Sequence, residues 1–347
     1  MSRERIAEII RQFPENGMKH LLQDPGNVHD LLALCDLPFL PRLDFGRMTV
    51  DPTTYVSADF RHVSSDLVLQ IPFRSTKGRG KRWLMLTILI EHQSQPDRLI
   101  TLRALDYVVQ IYKSQVRTWG EEHKSLASVR LRPVLPIIFY TGTHPWEKLG
   151  TLTDLMTEGA TFADVTPAFA PLFIDLSTRS PDQLGAAGPF GRMLQVFQSR
   201  KSRREPFRDA LQHAVAELGP MAHTERLRWL DLLTYFDALV FHSRTNSEYD
   251  DLHGLIAAAV DTDPDRQEFE MAHKSRAQVE RENGAQQGRI RSKQETLQMQ
   301  LETRFGTLPP AVTTTIETTQ DTARLDGWLK AILDARSLQD VGISSTK

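Results

Sequence analysis

One stretch constrains this chain more than any other: an almost wholly apolar run, Trp83 to Ile90, passes directly into Glu91-His92-Gln93-Ser94. A short continuous apolar run bounded by turn residues reads as a strand covered on both faces, the position of a central strand in an α/β sheet. Upstream, Asp66-Leu67-Val68-Leu69-Gln70-Ile71 reads as a second strand, and Gly78 and Gly80 mark the turn between them. A hairpin centred on Gly78-Arg79 fixes the register. Asp66 lies twelve residues before Gly78 and Glu91 twelve after Arg79, so the two carboxylates fall opposite each other.

Side chains paired across a hairpin stand about 4.5–5.5 Å apart at Cβ, and like charges so placed destabilise the sheet. A divalent cation between them removes the repulsion and takes their oxygens as ligands. Gln93 shares the face of Glu91, whereas His92 points to the other. Two carboxylates holding Mg²⁺ suit phosphodiester hydrolysis, where the ion lowers the pKa of bound water and acts as a Lewis acid. The same residues also fit a plainer reading, in which Asp66 opens a strand from a turn and Glu91 closes one at the sheet margin.

The rest of the chain is consistent with an α/β protein. Residues 3–13 and 17–36 read as helices, the second interrupted at Asp24-Pro25-Gly26, and residues 98–117 form an amphipathic helix. Pro133 to Tyr140 is a third strand ending at a Thr-Gly turn, and residues 206–243 are mostly helical. Residues 262–295 are charged and Gln-rich. A last helical unit follows, carrying Leu301, Phe305, Trp328 and Ile332 among its apolar residues. These patterns divide the chain into a domain at 1–245, a charged linker or exposed helix at 246–295, and a small helical domain at 296–347.

Composition narrows the function classes. The net charge of −2 does not advertise a nucleic-acid partner, so such a role has to rest on local patches. Two exist: residues 61–82 carry six cations against Asp66, and residues 192–208 carry six against Glu205. Each serves either phosphate neutralisation or an ordinary solvated face. The lone Cys35 excludes an internal disulfide and any cysteine-based zinc site, and fits a buried helical thiol. The apolar runs are too short for a membrane span, and no apolar segment follows the charged N-terminus, which predicts a cytoplasmic protein with no membrane partner. A Gly-x-x-x-x-Gly-Lys-Ser/Thr loop is absent, which disfavours a nucleotide hydrolase.

At particular residues the chain resembles the recombination-promoting nuclease family, labelled putative transposases, a branch of the restriction-endonuclease-like superfamily with the P-D…(D/E)-x-K signature. The matching elements are Met18 to Leu22 with Asp24-Pro25, Ser65 to Val68, Leu89 to Ser94 with Pro96-Asp97, Leu102 to Leu105 with Tyr107, and Leu135 to Gly142 with Trp146. The resemblance spans roughly residues 15–245. It implies a restriction-endonuclease-like α/β core, a mixed central sheet flanked by helices, followed by a mostly helical C-terminal region. In that core Asp66 and Glu91 would bind Mg²⁺ or Mn²⁺, and Gln93 would stand where the superfamily has lysine. A lysine would stabilise the attacking hydroxide by charge; an amide orients by hydrogen bonds alone.

Arg103 and Tyr107, one helical turn apart, are candidates for phosphate contacts or for support of Gln93, beside the plainer reading of a structural pair on a packed helix. Asp24 and Asp30 are candidates for an extra acid from the first helices. The tail beyond residue 290 is similar to a small domain often appended to this family, and reads as an interaction or oligomerisation module. The expected activity is Mg²⁺-dependent DNA endonuclease action of low sequence specificity, linked to recombination or mobile elements. The alternative is a non-catalytic DNA- or partner-binding protein on a degenerate nuclease scaffold.

Overall fold

A computed structural model of the chain describes residues 13–51, 67–75, 82–122, 125–260, 265–267, 269, 290–306, 308–335 and 337–343. The chain divides into two compact units, Met1–His273 and Lys274–Lys347.

The first unit is built on a five-stranded mixed sheet in the order β1-β2-β3-β4-β5. These are Thr49–Val50, Leu67–Ser75, Arg82–Gln93, Val134–Tyr140 and Leu172–Asp175. The first three run antiparallel, and β3, β4 and β5 are mutually parallel. The hairpin has the register expected from its turn: Leu67 pairs with Ile90, and the ladder continues to Ser75 opposite Arg82. Asp66 lies outside the described residues, as does the expected helix at 3–13 up to residue 12.

The pleat sorts the strands into two cores. Leu67, Leu69 and Ile71 of β2 and Leu86, Ile88 and Ile90 of β3 face the large helical core. Val68 and Leu89 face the other way, onto Tyr107, Val108 and Ile111 of the long helix Ile100–Glu122. Both sides of β3 are therefore covered, as its continuous apolar run requires.

Apart from the four-residue turn of helix Met221–Thr224, the described α-helices of this unit are α1 (Glu15–Leu21), α2 (Pro25–Ala33), α3 (the Ile100–Glu122 helix), α4 (Pro181–Ala186), α5 (Pro189–Gln198), α6 (Arg204–Leu218), α7 (Arg226–Ser243) and α8 (Asn246–Ala257). The interruption read at Asp24-Pro25-Gly26 is an N-cap: the Asp24 carboxylate accepts from the amides of Gly26 at 2.9 Å and Asn27 at 3.1 Å. Cys35 stands just past α2, half-buried, with burial raising its thiol pKa. A buried ionic network ties α2 to α7, with Arg228 donating to Asp30 at 2.6 Å and to Asn27 at 2.8 Å. Asp30 also accepts from the Phe190 amide at 3.0 Å. Gly188, at φ 89°, sits close above that carboxylate, in a backbone region that only glycine enters freely.

The structure differs from the expected linker at its N-terminal part. Helix α8 opens with a capping box between Thr245 and Glu248, and its Leu252 and Ile256, with Val260 beyond, are buried in the first core. Leu252 and Ile256 lie one turn apart and make one narrow apolar stripe, which the surrounding Glu248, Asp250 and Asp251 disguise in the sequence. The second unit has its own core. Leu297 and Leu301 from a helix at 290–305 (α9) meet Ile316 of α10 (Pro310–Thr318) and Leu325, Trp328 and Ile332 of α11 (Thr322–Asp334). No helix among the described residues is long and apolar enough to cross a membrane.

Candidate active site

Glu91 and Gln93 sit in the last rungs of β3, on the face that α3 covers. The Glu91 side chain is 1% exposed. Its Oε2 accepts from Gln93 Nε2 at 3.3 Å, and Arg103 Nη2 of α3 lies 3.6 Å from the same oxygen. Glu91 Oε1 is buried and makes no hydrogen bond with the described residues. A buried carboxylate oxygen without a donor carries an uncompensated desolvation cost of about 1–3 kcal/mol or more, which a bound cation would relieve.

Arg103, 3% exposed, is held from its other end by Asp97, whose carboxylate it meets at 2.6 Å. Asp97 also accepts from the Leu99 amide at 2.8 Å, which fixes the turn from the end of β3 into α3. An acid-base-acid line thus runs from the half-buried Asp97 through Arg103 to Glu91. Sequence reasoning used Pro96-Asp97 only as part of a resemblance and missed this role. The signal available was a cation in the first turn of an apolar helix, which needs a carboxylate nearby when buried. Tyr107, one turn beyond Arg103, is fully buried against Val68 and Leu89.

His92 faces the opposite side, as alternation requires. Its Nε2 is 2.8 Å from Thr141 Oγ1, and its ring lies 5.6 Å from that of Phe139. Burial, with the nearby Arg200 charge adding to it, lowers its pKa to about 4, so the ring is neutral near pH 7. Arg200 donates to the Thr141 carbonyl at 2.8 Å. The Thr-Gly turn after β4 is required sterically: a Cβ on Gly142 would overlap the Tyr140 ring, whose hydroxyl donates to the His144 carbonyl at 2.9 Å.

The structure disperses the basic stretch at 192–208. Arg192 pairs with Glu217, Arg204 and Arg208 both meet Asp251, at 3.0 and 3.4 Å, and Arg200 donates to main-chain carbonyls. Four of its six cations therefore serve the fold. Asp24 and Asp30, expected as extra acids, are engaged with Arg228 and with helix-capping amides, away from β3. Of the cations at 61–82, Arg61, Lys77, Arg79 and Lys81 lie outside the described residues.

A family model described as "Putative transposase, YhgA-like" matches residues 15–225. The chain belongs to this family. No solved structure matches it. The family region begins at the first residue of α1, takes in the whole sheet with α3, and stops just before α7. Glu91, Gln93, Asp97 and Arg103 all fall inside it, whereas α7, α8 and the second unit lie outside the matched residues.

The donor set suits a hard cation in part. Carboxylate and amide oxygens are the ligands Mg²⁺ prefers, and the unpartnered Glu91 Oε1 is an oxygen of that kind. Among the described residues, no three His, Cys, Asp or Glu side chains group closely enough to hold a metal ion. The remaining acid expected at the site is Asp66.

Proposed function

We propose that this YhgA-like family member is a Mg²⁺- or Mn²⁺-dependent DNA endonuclease of low sequence specificity, acting in recombination or on mobile elements. The observation that carries the reading is the Glu91 carboxylate, buried at the end of a central strand with one oxygen unpartnered. The described ladder ends at Leu67–Ile90, and its continuation by one residue would bring Asp66 opposite Glu91. Asp66 and Glu91 would hold the ion, which supplies an activated water and a Lewis acid at the phosphate.

The chain's own residues do the rest. Gln93 orients the attacking water or a phosphate oxygen by hydrogen bonding through its amide. Arg103 is a positioning residue: anchored by Asp97, it fixes the Glu91 carboxylate from behind and offsets part of its buried charge. A second reading, a DNA- or partner-binding protein without catalysis, is favoured by one observation, the Arg103 guanidinium already standing beside Glu91.

A nicking assay on supercoiled plasmid decides between them. Purified protein is compared with Asp66→Ala and Glu91→Ala in Mg²⁺, in Mn²⁺ and in EDTA. Metal-dependent nicking lost in both folded variants supports the nuclease. Cleavage that survives in both displaces the site. Wild-type protein that binds DNA but cleaves none under any of these conditions supports the non-catalytic reading.

A further inference from the structure

The described end of the β2–β3 ribbon carries an exposed tryptophan among three arginines, Arg42, Arg47 and Arg74. Trp83 is 47% exposed. It pairs directly across the ribbon with the exposed Arg74, and Arg47 lies over its ring at 4.2 Å. Arg42 caps the same end from the segment before β1, donating to the Arg74 carbonyl at 3.0 Å and lying over the Phe73 ring at 4.1 Å. Arg74 makes no side-chain hydrogen bond or ion pair with the described residues. Among the described side chains at this end, Arg42, Arg47 and Arg74 stand against a single carboxylate, Asp44, which pairs with Arg47 at 2.6 Å, in a chain whose net charge is −2.

An ordinary solvated surface intersperses both signs of charge, whereas the described side chains around Trp83 set three arginines against one carboxylate. Alternation along β3 puts Trp83 on the same pleat face as Glu91, and the two are eight residues apart. At about 3.3 Å per residue the ribbon spans roughly 26 Å between them, the length of about eight base pairs.

We propose that this ribbon end is a second DNA contact, holding the duplex that leads away from the cleavage site. Arg74 neutralises a backbone phosphate, and the Trp83 ring packs against the sugar edge beside it. The identity of the polyanion rests on the DNA-nuclease reading; the surface itself rests on charge and exposure. A contact of this kind adds affinity without sequence preference and acts only when the duplex is long enough to reach it.

The test is fluorescence anisotropy in EDTA, with labelled duplexes of about 8 and about 24 base pairs, one below and one well beyond the estimated reach. Wild type is compared with Arg74→Ala, Trp83→Ala and Trp83→Phe. Wild type should bind the long duplex at least ten-fold more tightly per site than the short one. Arg74→Ala and Trp83→Ala should lose most of that gain, Trp83→Phe should keep it, and Arg74→Ala should lower the salt slope by about one. Equal binding of the long duplex by wild type, Arg74→Ala and Trp83→Ala overturns the proposal while leaving metal-dependent nicking untouched. No length dependence in the wild type overturns it as well.

Discussion

Arg103 Nη2 lies 3.6 Å from Glu91 Oε2, with both side chains buried. The cation comes from the covering helix and the carboxylate from the central strand, so their pairing couples the site to the packing of α3. Because Asp97 holds Arg103 independently, the two partners are not equivalent. Removing Glu91 leaves Arg103 with a carboxylate at 2.6 Å; removing Arg103 leaves Glu91 buried with only an amide donor.

Arg103→Met should therefore destabilise the fold by about 3–5 kcal/mol, the cost of stranding a buried charge, and Glu91→Gln by clearly less. Urea unfolding of the three proteins measures this. Mg²⁺ should raise the midpoint of Arg103→Met more than that of wild type, because the ion would replace the lost cation. An unchanged midpoint in Mg²⁺ argues against metal binding at Glu91.

Gln93→Ala should reduce nicking by about 10²-fold or more, the usual loss when one preorganised donor is removed from a reacting centre. Duplex binding should stay within two-fold of wild type, because the side chain positions rather than anchors. Single-turnover cleavage beside anisotropy separates the two effects.

Stability should fall on mild acidification because of His92. Its pKa is depressed to about 4 in the folded state from an ordinary 6.5, so below pH 6.5 the unfolded chain binds a proton that the folded chain refuses. The loss begins as pH drops through 6.5 and levels off below about 4. Between pH 7 and pH 5 it amounts to about 2 kcal/mol. His92→Asn, which keeps a polar partner for Thr141, should show a flatter profile in urea titrations at the two pH values.

Asp30→Ala should cost about 3–5 kcal/mol, since it strips Arg228 of its closest buried partner and leaves the Phe190 amide without its acceptor. The effect should be confined to stability. Nicking per folded molecule is expected to remain that of wild type, because this network lies with α2 and α7 and makes no contact with the residues around Glu91.

The hairpin was legible in the chain because its determinants are local. A glycine-marked turn fixes which residues can pair, and period-two alternation then assigns each side chain to a face, so the ladder from Leu67–Ile90 to Ser75–Arg82 and the opposed facing of Gln93 and His92 follow without tertiary information. The α3 helix and β4 were legible for the same reason, through long periodic or continuous apolar patterns. Strand β5 escaped because Leu172 to Asp175 is too short to show any period, and α8 because its apolar stripe is two residues wide among acids.

What only the tertiary structure decided is who neutralises whom. The basic stretch at 192–208 looked available for phosphate until Arg204 met Asp251, forty-seven residues away, and Glu217 took Arg192. The cation attending Glu91 was set only when α3 brought Arg103, itself held by Asp97, beside it. Charge partners depend on distances that packing sets, and the energy of an ion pair depends on the burial that packing creates. A sequence by itself carries the positions of its charges but neither of those quantities.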